Sequence, residues 1–141
     1  MGGLAWLLVG SRRREGETGG RHYHFLSEEE FDERFGPWES VSAQRRAVRA
    51  ALAEAFPAAT GDLVVFLHGL SESEHYWDRR RDRTGGSYGE RLAAETSWTP
   101  VYLRANTGLP IAENGAALAG LLDRLVEEWP VPVRRIALVG H

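Results

Sequence analysis

In the stretch Leu63-Val64-Val65-Phe66-Leu67-His68-Gly69-Leu70, five apolar residues precede His-Gly and a polar loop. An unbroken run of Leu, Val and Phe predicts a strand that is buried on both faces, as in parallel sheets. The glycine after the strand permits a sharp turn and lets the backbone approach a ligand closely. Because ligands bind at the carboxyl ends of strands in open α/β sheets, we expect the chemistry at His68, Gly69 and Leu70.

Two further apolar runs predict the rest of the sheet, at residues 100–104 and 135–139. A short helical pattern over residues 88–96 precedes the first run. A stronger one, with leucines from Leu118 to Trp129 at i, i+3, i+4 and i+7, precedes the second. We expect Asn114 or a neighbour to cap that helix. Alternating strands and helices predict a parallel sheet, with the strand at 63–67 a neighbour or near-neighbour of the strand at 135–139.

The remaining segments divide the chain into two parts, an irregular segment over residues 1–40 and an α/β domain over residues 41–141. Within the first part, Ser27 and Glu30 predict a capping box for a short helix that runs through Phe35. The second part begins with an amphipathic helical pattern over residues 41–56. Residues 71–87 are polar and rich in Arg, Asp and Gly, and they predict a long loop.

The composition limits the classes of function that this chain of 141 residues can have. It contains no cysteine, which excludes disulfides and thiolate metal sites. A net charge of −3 argues against a nucleic-acid partner. The apolar residues 1–10 are too few to span a bilayer, and the arginines follow them, unlike in a secretory signal. That segment is either an ordinary terminus or a peripheral membrane contact, and we predict a cytoplasmic protein without metal or cofactor.

Several motifs together resemble a known superfamily, the α/β-hydrolases. Leu67-His68-Gly69-Leu70 is similar to their oxyanion loop, and Leu138-Val139-Gly140-His141 is similar to the strand and the first two residues of their nucleophile elbow, G-x-S-x-G. The stretches at 68–77, 102–108 and 113–115 resemble more closely the lipase- and esterase-like group related to the GPI inositol-deacylase domain. The resemblance covers residues 62–141 and implies a parallel-sheet hydrolase fold of which this chain is the amino-terminal half.

The resemblance also implies a reaction and a set of site residues. The reaction is acyl transfer from a small-molecule or lipid ester to water, in which the backbone N–H of Leu70 stabilises the oxyanion and Gly69 leaves room for substrate. His68 orients the loop by hydrogen bonds and is not the catalytic base. Gly140 and His141 begin the elbow, so the nucleophile, the acid and the base would all lie beyond His141, in the carboxyl-terminal half of the fold.

Two loop residues are further candidates for contact with substrate, Trp77 and Glu72. An aromatic side chain in a polar loop beside a strand end either packs the loop onto the core or lines an apolar substrate cleft, and both interpretations of Trp77 remain open. The alternative to an enzyme is a non-catalytic α/β module that binds a ligand or partner. A nucleotide-binding domain is disfavoured, because neither G-x-G-x-x-G nor a Walker loop follows any predicted strand.

Overall fold

The computed structural model describes residues 7–10, 23–26 and 41–141. Its order of elements is β1 (Leu7–Gly10), β2 (Tyr23–Leu26), α1 (Val41–Ala55), β3 (Asp62–Leu67), a 3-10 helix (Glu74–Asp78), α2 (Arg81–Thr84), α3 (Tyr88–Glu95), β4 (Thr99–Leu103), α4 (Ile111–Glu128) and β5 (Arg135–Gly140). The short helix predicted from Ser27 through Phe35 lies outside the described residues. Residues 1–6 of the apolar amino terminus also lie outside them.

The three predicted strands of the α/β domain are confirmed, and they form one parallel sheet in the order β4-β3-β5. Leu63 of β3 pairs with Thr99 of β4 on one side and with Ile136 of β5 on the other. The prediction that the first and last strands are neighbours is therefore correct. β3 lies between the other two because its unbroken apolar run can be covered on both faces and paired along both edges.

The two faces of this sheet carry different helices. Leu63, Val65 and Val101 face one way and pack with side chains of α1 and α4. Val64, Phe66 and Tyr102 alternate with them and pack on the opposite face, with Trp77 and with Leu92 of α3. The connections that leave β3 and β4 therefore run to opposite faces, which creates a crevice between the carboxyl ends of these two strands.

Two sequence-based boundaries differ from the structure. The segment 71–87, predicted as a loop, contains the 3-10 helix and α2, which are too short to produce a clear apolar period. Helix α4 begins at Ile111, after Pro110, so Asn114 is not its N-cap. The Asn114 amide instead donates hydrogen bonds to the backbone carbonyls of Asn106 and Leu109, 3.0 and 3.3 Å away, and so fastens the preceding loop to the first turn of the helix.

A charged cluster joins the amino-terminal ends of β3 and β5. The Asp62 carboxylate is buried and accepts hydrogen bonds from Arg134 at 3.0 Å and from Arg135 at 2.7 Å. The hydrogen bond from Arg135 is the largest cause that holds the pKa of Asp62 below its ordinary value, against the opposing effect of burial. These ion pairs hold the start of β5 beside the start of β3.

The amino-terminal segment, predicted as irregular, contains two short strands. β1 and β2 pair in antiparallel register, with Leu7 opposite Leu26 and Gly10 opposite Tyr23. The backbone of β1 lies beside α1, and that of β2 lies beside β4. Each strand has only four residues, which is too short for alternation of apolar and polar residues to mark it in a sequence rich in glycine.

Candidate functional site

The loop that leaves β3 makes a tight turn over Gly69–Glu72, which we call the β3 turn. The Glu72 N–H donates to the Gly69 carbonyl at 3.2 Å, and Ser71 has a positive φ of 58°. A positive φ at the third position is typical of a type II turn, and it costs energy for a residue other than glycine. Strain of this kind is kept where the surrounding contacts enforce it, so the turn is held in one conformation.

Leu70 lies at the tip of the β3 turn, where its side chain is largely exposed and its backbone N–H is not engaged by the described residues. Its side chain is 78% exposed, and no atom of the described residues accepts a hydrogen bond from its backbone N–H. By contrast, the N–H of Gly69 donates to Glu72 at 3.0 Å, and that of Ser71 donates to the Thr107 hydroxyl at 3.1 Å. With respect to the described residues, the turn therefore presents one backbone donor without an acceptor between two that are occupied.

His68 is buried and links the ends of two strands. Its Nε2 accepts a hydrogen bond from the backbone N–H of Ala105, just after β4, at 2.9 Å. Its Nδ1 lies 3.0 Å from the carbonyl of Gly69. Because an amide can only donate, Nε2 is the acceptor and the proton is assigned to Nδ1. Both ring nitrogens therefore contact backbone groups of the loops that follow β3 and β4.

Glu72 and His141 connect the β3 turn to the end of β5. One Glu72 carboxylate oxygen accepts from the Gly69 N–H and lies 2.9 Å from Nδ1 of His141. The backbone N–H of His141 donates to the Leu67 carbonyl at 3.0 Å, and its Nε2 lies 2.8 Å from the Tyr76 hydroxyl. The two motifs singled out in the sequence, 63–70 and 138–141, therefore meet at one point, with Glu72 between them.

The need for glycine at position 69 has a cause that the sequence did not reveal. A Cβ there would lie 2.9 Å from Nδ1 of His141 and 3.0 Å from the Glu72 carboxylate. We expected a side chain at this position to crowd the substrate, whereas in the structure it would first crowd the protein itself. Glu72, expected to contact substrate, uses one carboxylate oxygen twice to hold protein groups.

Trp77 is a core residue. It is 6% exposed, and its ring packs against Phe66 with the centroids 5.0 Å apart. The edge of its ring also approaches the ring of His141, with the centroids at 6.4 Å. Of the two interpretations left open, packing of the loop onto the core describes the structure, and Trp77 is not in the wall of the pocket described below.

An ion pair between a buried carboxylate and a partly exposed guanidinium, at the same end of the sheet, was missed by sequence reasoning. The Glu74 carboxylate is fully buried and receives two hydrogen bonds from the Arg104 guanidinium, at 2.6 and 2.5 Å. Arg104 follows β4 directly, and Glu74 lies in the connection after β3. Since the carboxyl ends of neighbouring parallel strands share one edge, opposite charges just after β3 and β4 were the available signal.

An apolar pocket of about 370 Å³ opens beside the β3 turn. It lies between the carboxyl ends of β3 and β4 and the first half of α4, in the crevice where connections leave to opposite faces. Its wall is formed by Leu67, His68, Leu103, Arg104, Ala105, Asn106, Thr107, Leu109, Ile111, Asn114, Gly115, Ala117, Leu118 and Leu121. The volume is in the range of small-molecule sites, so this crevice can enclose a ligand.

The described residues offer no evident place for a metal ion, because no three His, Asp or Glu side chains among them come together as ligands. Among the described residues, no helix is both long enough and apolar enough to cross a bilayer.

Comparisons with known proteins add no relative. The chain matches no protein-family model, no curated protein and no solved structure. The resemblance to α/β-hydrolases therefore depends on the quoted motifs alone. Any further support for a function has to come from the geometry at the ends of β3 and β5.

Proposed function

We propose that this chain carries the oxyanion-loop half of a serine ester hydrolase of the α/β type. The observation that supports the proposal best is the contact between the β3 turn and the end of β5. The Leu70 N–H has no acceptor among the described residues, while Glu72 and Leu67 bind His141. The carbonyl oxygen of His141 lies 3.2 Å from the position that a Cβ on Gly69 would take, so a residue after His141 would begin next to the turn that carries Leu70. An oxyanion donor has to lie near the nucleophile in this way.

The mechanism follows from this placement. The hydroxyl of a serine after His141 attacks the ester carbonyl carbon, and its proton passes to a base supplied by a later segment. The carbonyl oxygen becomes an oxyanion that accepts a hydrogen bond from the Leu70 N–H. The C–O bond to the alcohol then breaks, the alcohol leaves with the proton, and water hydrolyses the acyl-enzyme in the same way.

The positioning residues in this mechanism are His68, Glu72 and His141, and none of them is the base. His68 uses both ring nitrogens within the loop, and the Nδ1 of His141 is directed at Glu72. Their contribution is preorganisation, since they hold the turn with its free N–H pointing to one place before substrate arrives. Such preorganised donors contribute to catalysis because no reorganisation is needed during the reaction.

The test starts with the codons that follow His141 in the gene. Ser-x-Gly-Gly there supports the proposal, and a stop codon contradicts it. The chain extended through that segment should hydrolyse p-nitrophenyl esters, whereas the chain of 141 residues should be no faster than a heat-killed control.

A matched pair of variants in the extended protein then tests the donor. Leu70→Pro removes the backbone N–H and suits the second position of this turn, where proline is favoured. Leu70→Ala keeps the N–H and removes only an exposed side chain. We expect the proline variant to lower kcat about 10²- to 10³-fold and the alanine variant to stay close to wild type. Equal kcat values for the two variants would refute the role of this N–H.

The second candidate function is a non-catalytic binding module. It is favoured by the pocket, which is lined by residues between Leu67 and Leu121 and by none of β5. An extended protein that is inactive on esters but still binds an apolar ligand would establish this alternative.

A further inference from the structure

We propose that the apolar pocket between β3, β4 and α4 binds a hydrocarbon group, namely the acyl part of the ester in the reaction proposed above. This inference rests on the proposed function for the identity of the ligand, and on the pocket itself for its chemistry. The wall consists mainly of aliphatic side chains, from Leu67, Leu103, Leu109, Ile111, Leu118 and Leu121. Burial of methylene groups against such a wall favours binding, and the gain grows with the number of methylenes.

The polar side chains of the wall are already bound to the protein. His68 uses both ring nitrogens, and Arg104 is paired with a buried carboxylate. The amide of Asn114 donates to the carbonyls of Asn106 and Leu109. A ligand with several polar groups would lose its hydrogen bonds to water here and regain few, which is costly. The ligand that the pocket favours is therefore apolar along its length.

The position of the pocket connects it to the β3 turn. Its wall includes Leu67 and His68, which directly precede Gly69 and Leu70. Thr107 also belongs to the wall, and its hydroxyl accepts the hydrogen bond from Ser71, the residue after Leu70. An ester whose carbonyl oxygen lies at the Leu70 N–H can thus direct its chain into the pocket.

Gly115 leaves open space in the part of the pocket wall that α4 forms. It lies inside α4 and lines the pocket, and no protein atom lies within 4 Å of the Cβ that alanine would have. Packing therefore does not require glycine at a position where alanine would favour the helix. Gly120 has equally open surroundings but is not in the pocket wall, which makes it a matched control.

The experiment measures binding by the chain of 141 residues, so that it does not depend on catalysis. Titration calorimetry with sodium decanoate should give saturable binding with one site, and butyrate should bind more than about tenfold more weakly because it buries fewer methylenes. Ala117→Trp fills the pocket, whereas Ala116→Trp places the same ring on the exposed side of α4. We expect the first variant to lose decanoate binding and the second to keep it.

A second pair keeps the test decisive if a tryptophan variant fails to fold, as judged by circular dichroism. Gly115→Phe should abolish binding, and Gly120→Phe should leave it within about twofold of wild type, because only the first ring enters the space that the methylenes would occupy. Absence of decanoate binding by the wild-type chain, or equal losses in both members of a pair, would overturn the inference.

Failure of this inference can be distinguished from failure of the proposed function. If the extended protein hydrolyses an acetate ester but the pocket binds no decanoate, the hydrolase proposal stands and the acyl pocket is refuted. If decanoate binds and the pocket variants abolish its binding, but the extended protein hydrolyses no ester, the pocket stands as a fatty-acid site and the hydrolase proposal is refuted.

Discussion

Strands β3 and β5 have similar sequences and pair with each other in parallel, yet their surroundings differ. Leu63 and Val65 of β3 are completely buried, whereas Leu138 of β5 is 51% exposed and Val139 is 36% exposed. Val65 and Leu138 are direct register partners. β3 has a strand on each side and helices on both faces, while β5 has β3 as its one strand neighbour among the described residues. Apolar character therefore predicts a strand, but its neighbours determine its burial.

The largest expected effect comes from the same truncation made in both strands. Leu63→Ala should lower the free energy of unfolding by about 2–5 kcal/mol, because it leaves a cavity in a closed core. Leu138→Ala should cost less than about 1 kcal/mol, since half of this side chain already contacts solvent. Urea denaturation followed by circular dichroism measures both values. Equal losses would mean that β5 is covered in solution.

The second prediction concerns the charged cluster that joins the starts of these strands. Folding lowers the pKa of Asp62, so the stabilisation that its carboxylate provides is present at neutral pH and is lost as the pH falls through the folded-state value, below about pH 4. Asp62→Asn should therefore be less stable than wild type at pH 7, and the difference should shrink on acidification. Thermal unfolding midpoints between about pH 7 and pH 3 measure this difference.

Arg135→Gln provides the matched control for this titration, because the hydrogen bond from Arg135 is the largest cause of the lowered pKa. It should flatten the acid dependence of stability in the same window, while Arg134 continues to hold the carboxylate. A gap between wild type and Asp62→Asn that stays constant from neutral to acidic pH would show that the cluster does not titrate in this way.

The smallest expected effect is on association through β5. The edge of β5 that faces away from β3 pairs with no strand among the described residues. It is apolar from Ile136 to Val139 and lacks charge and proline, which are the usual protections against pairing with a second chain. We expect the chain of 141 residues to associate, and Leu138→Lys to raise the concentration at which it does so by several fold. Light scattering over a dilution series measures this. Wild-type chain that is monomeric and unfolds cooperatively would argue for the binding module.

The candidate site was predictable only in part. The His-Gly turn after β3 and the Gly-His end of β5 stand out because glycine follows an apolar run in each case. Their meeting through Glu72 was not predictable, since it depends on β5 lying next to β3 and on the conformation of a strained turn. The ion pair between buried Glu74 and Arg104 was missed for the same reason, as its two members lie 30 residues apart in the chain.

The sequence by itself determined where the three strands of the parallel sheet and the long helices lie and that this sheet is parallel, because these features depend on local periodicity and on the alternation of strands with helices. The tertiary structure alone decided that Trp77 is buried, that Gly69 is crowded by His141, and that an apolar pocket opens beside the turn. Each of these depends on which segments distant in the chain become neighbours, and the packing of side chains between neighbouring elements leaves no periodic trace in the sequence.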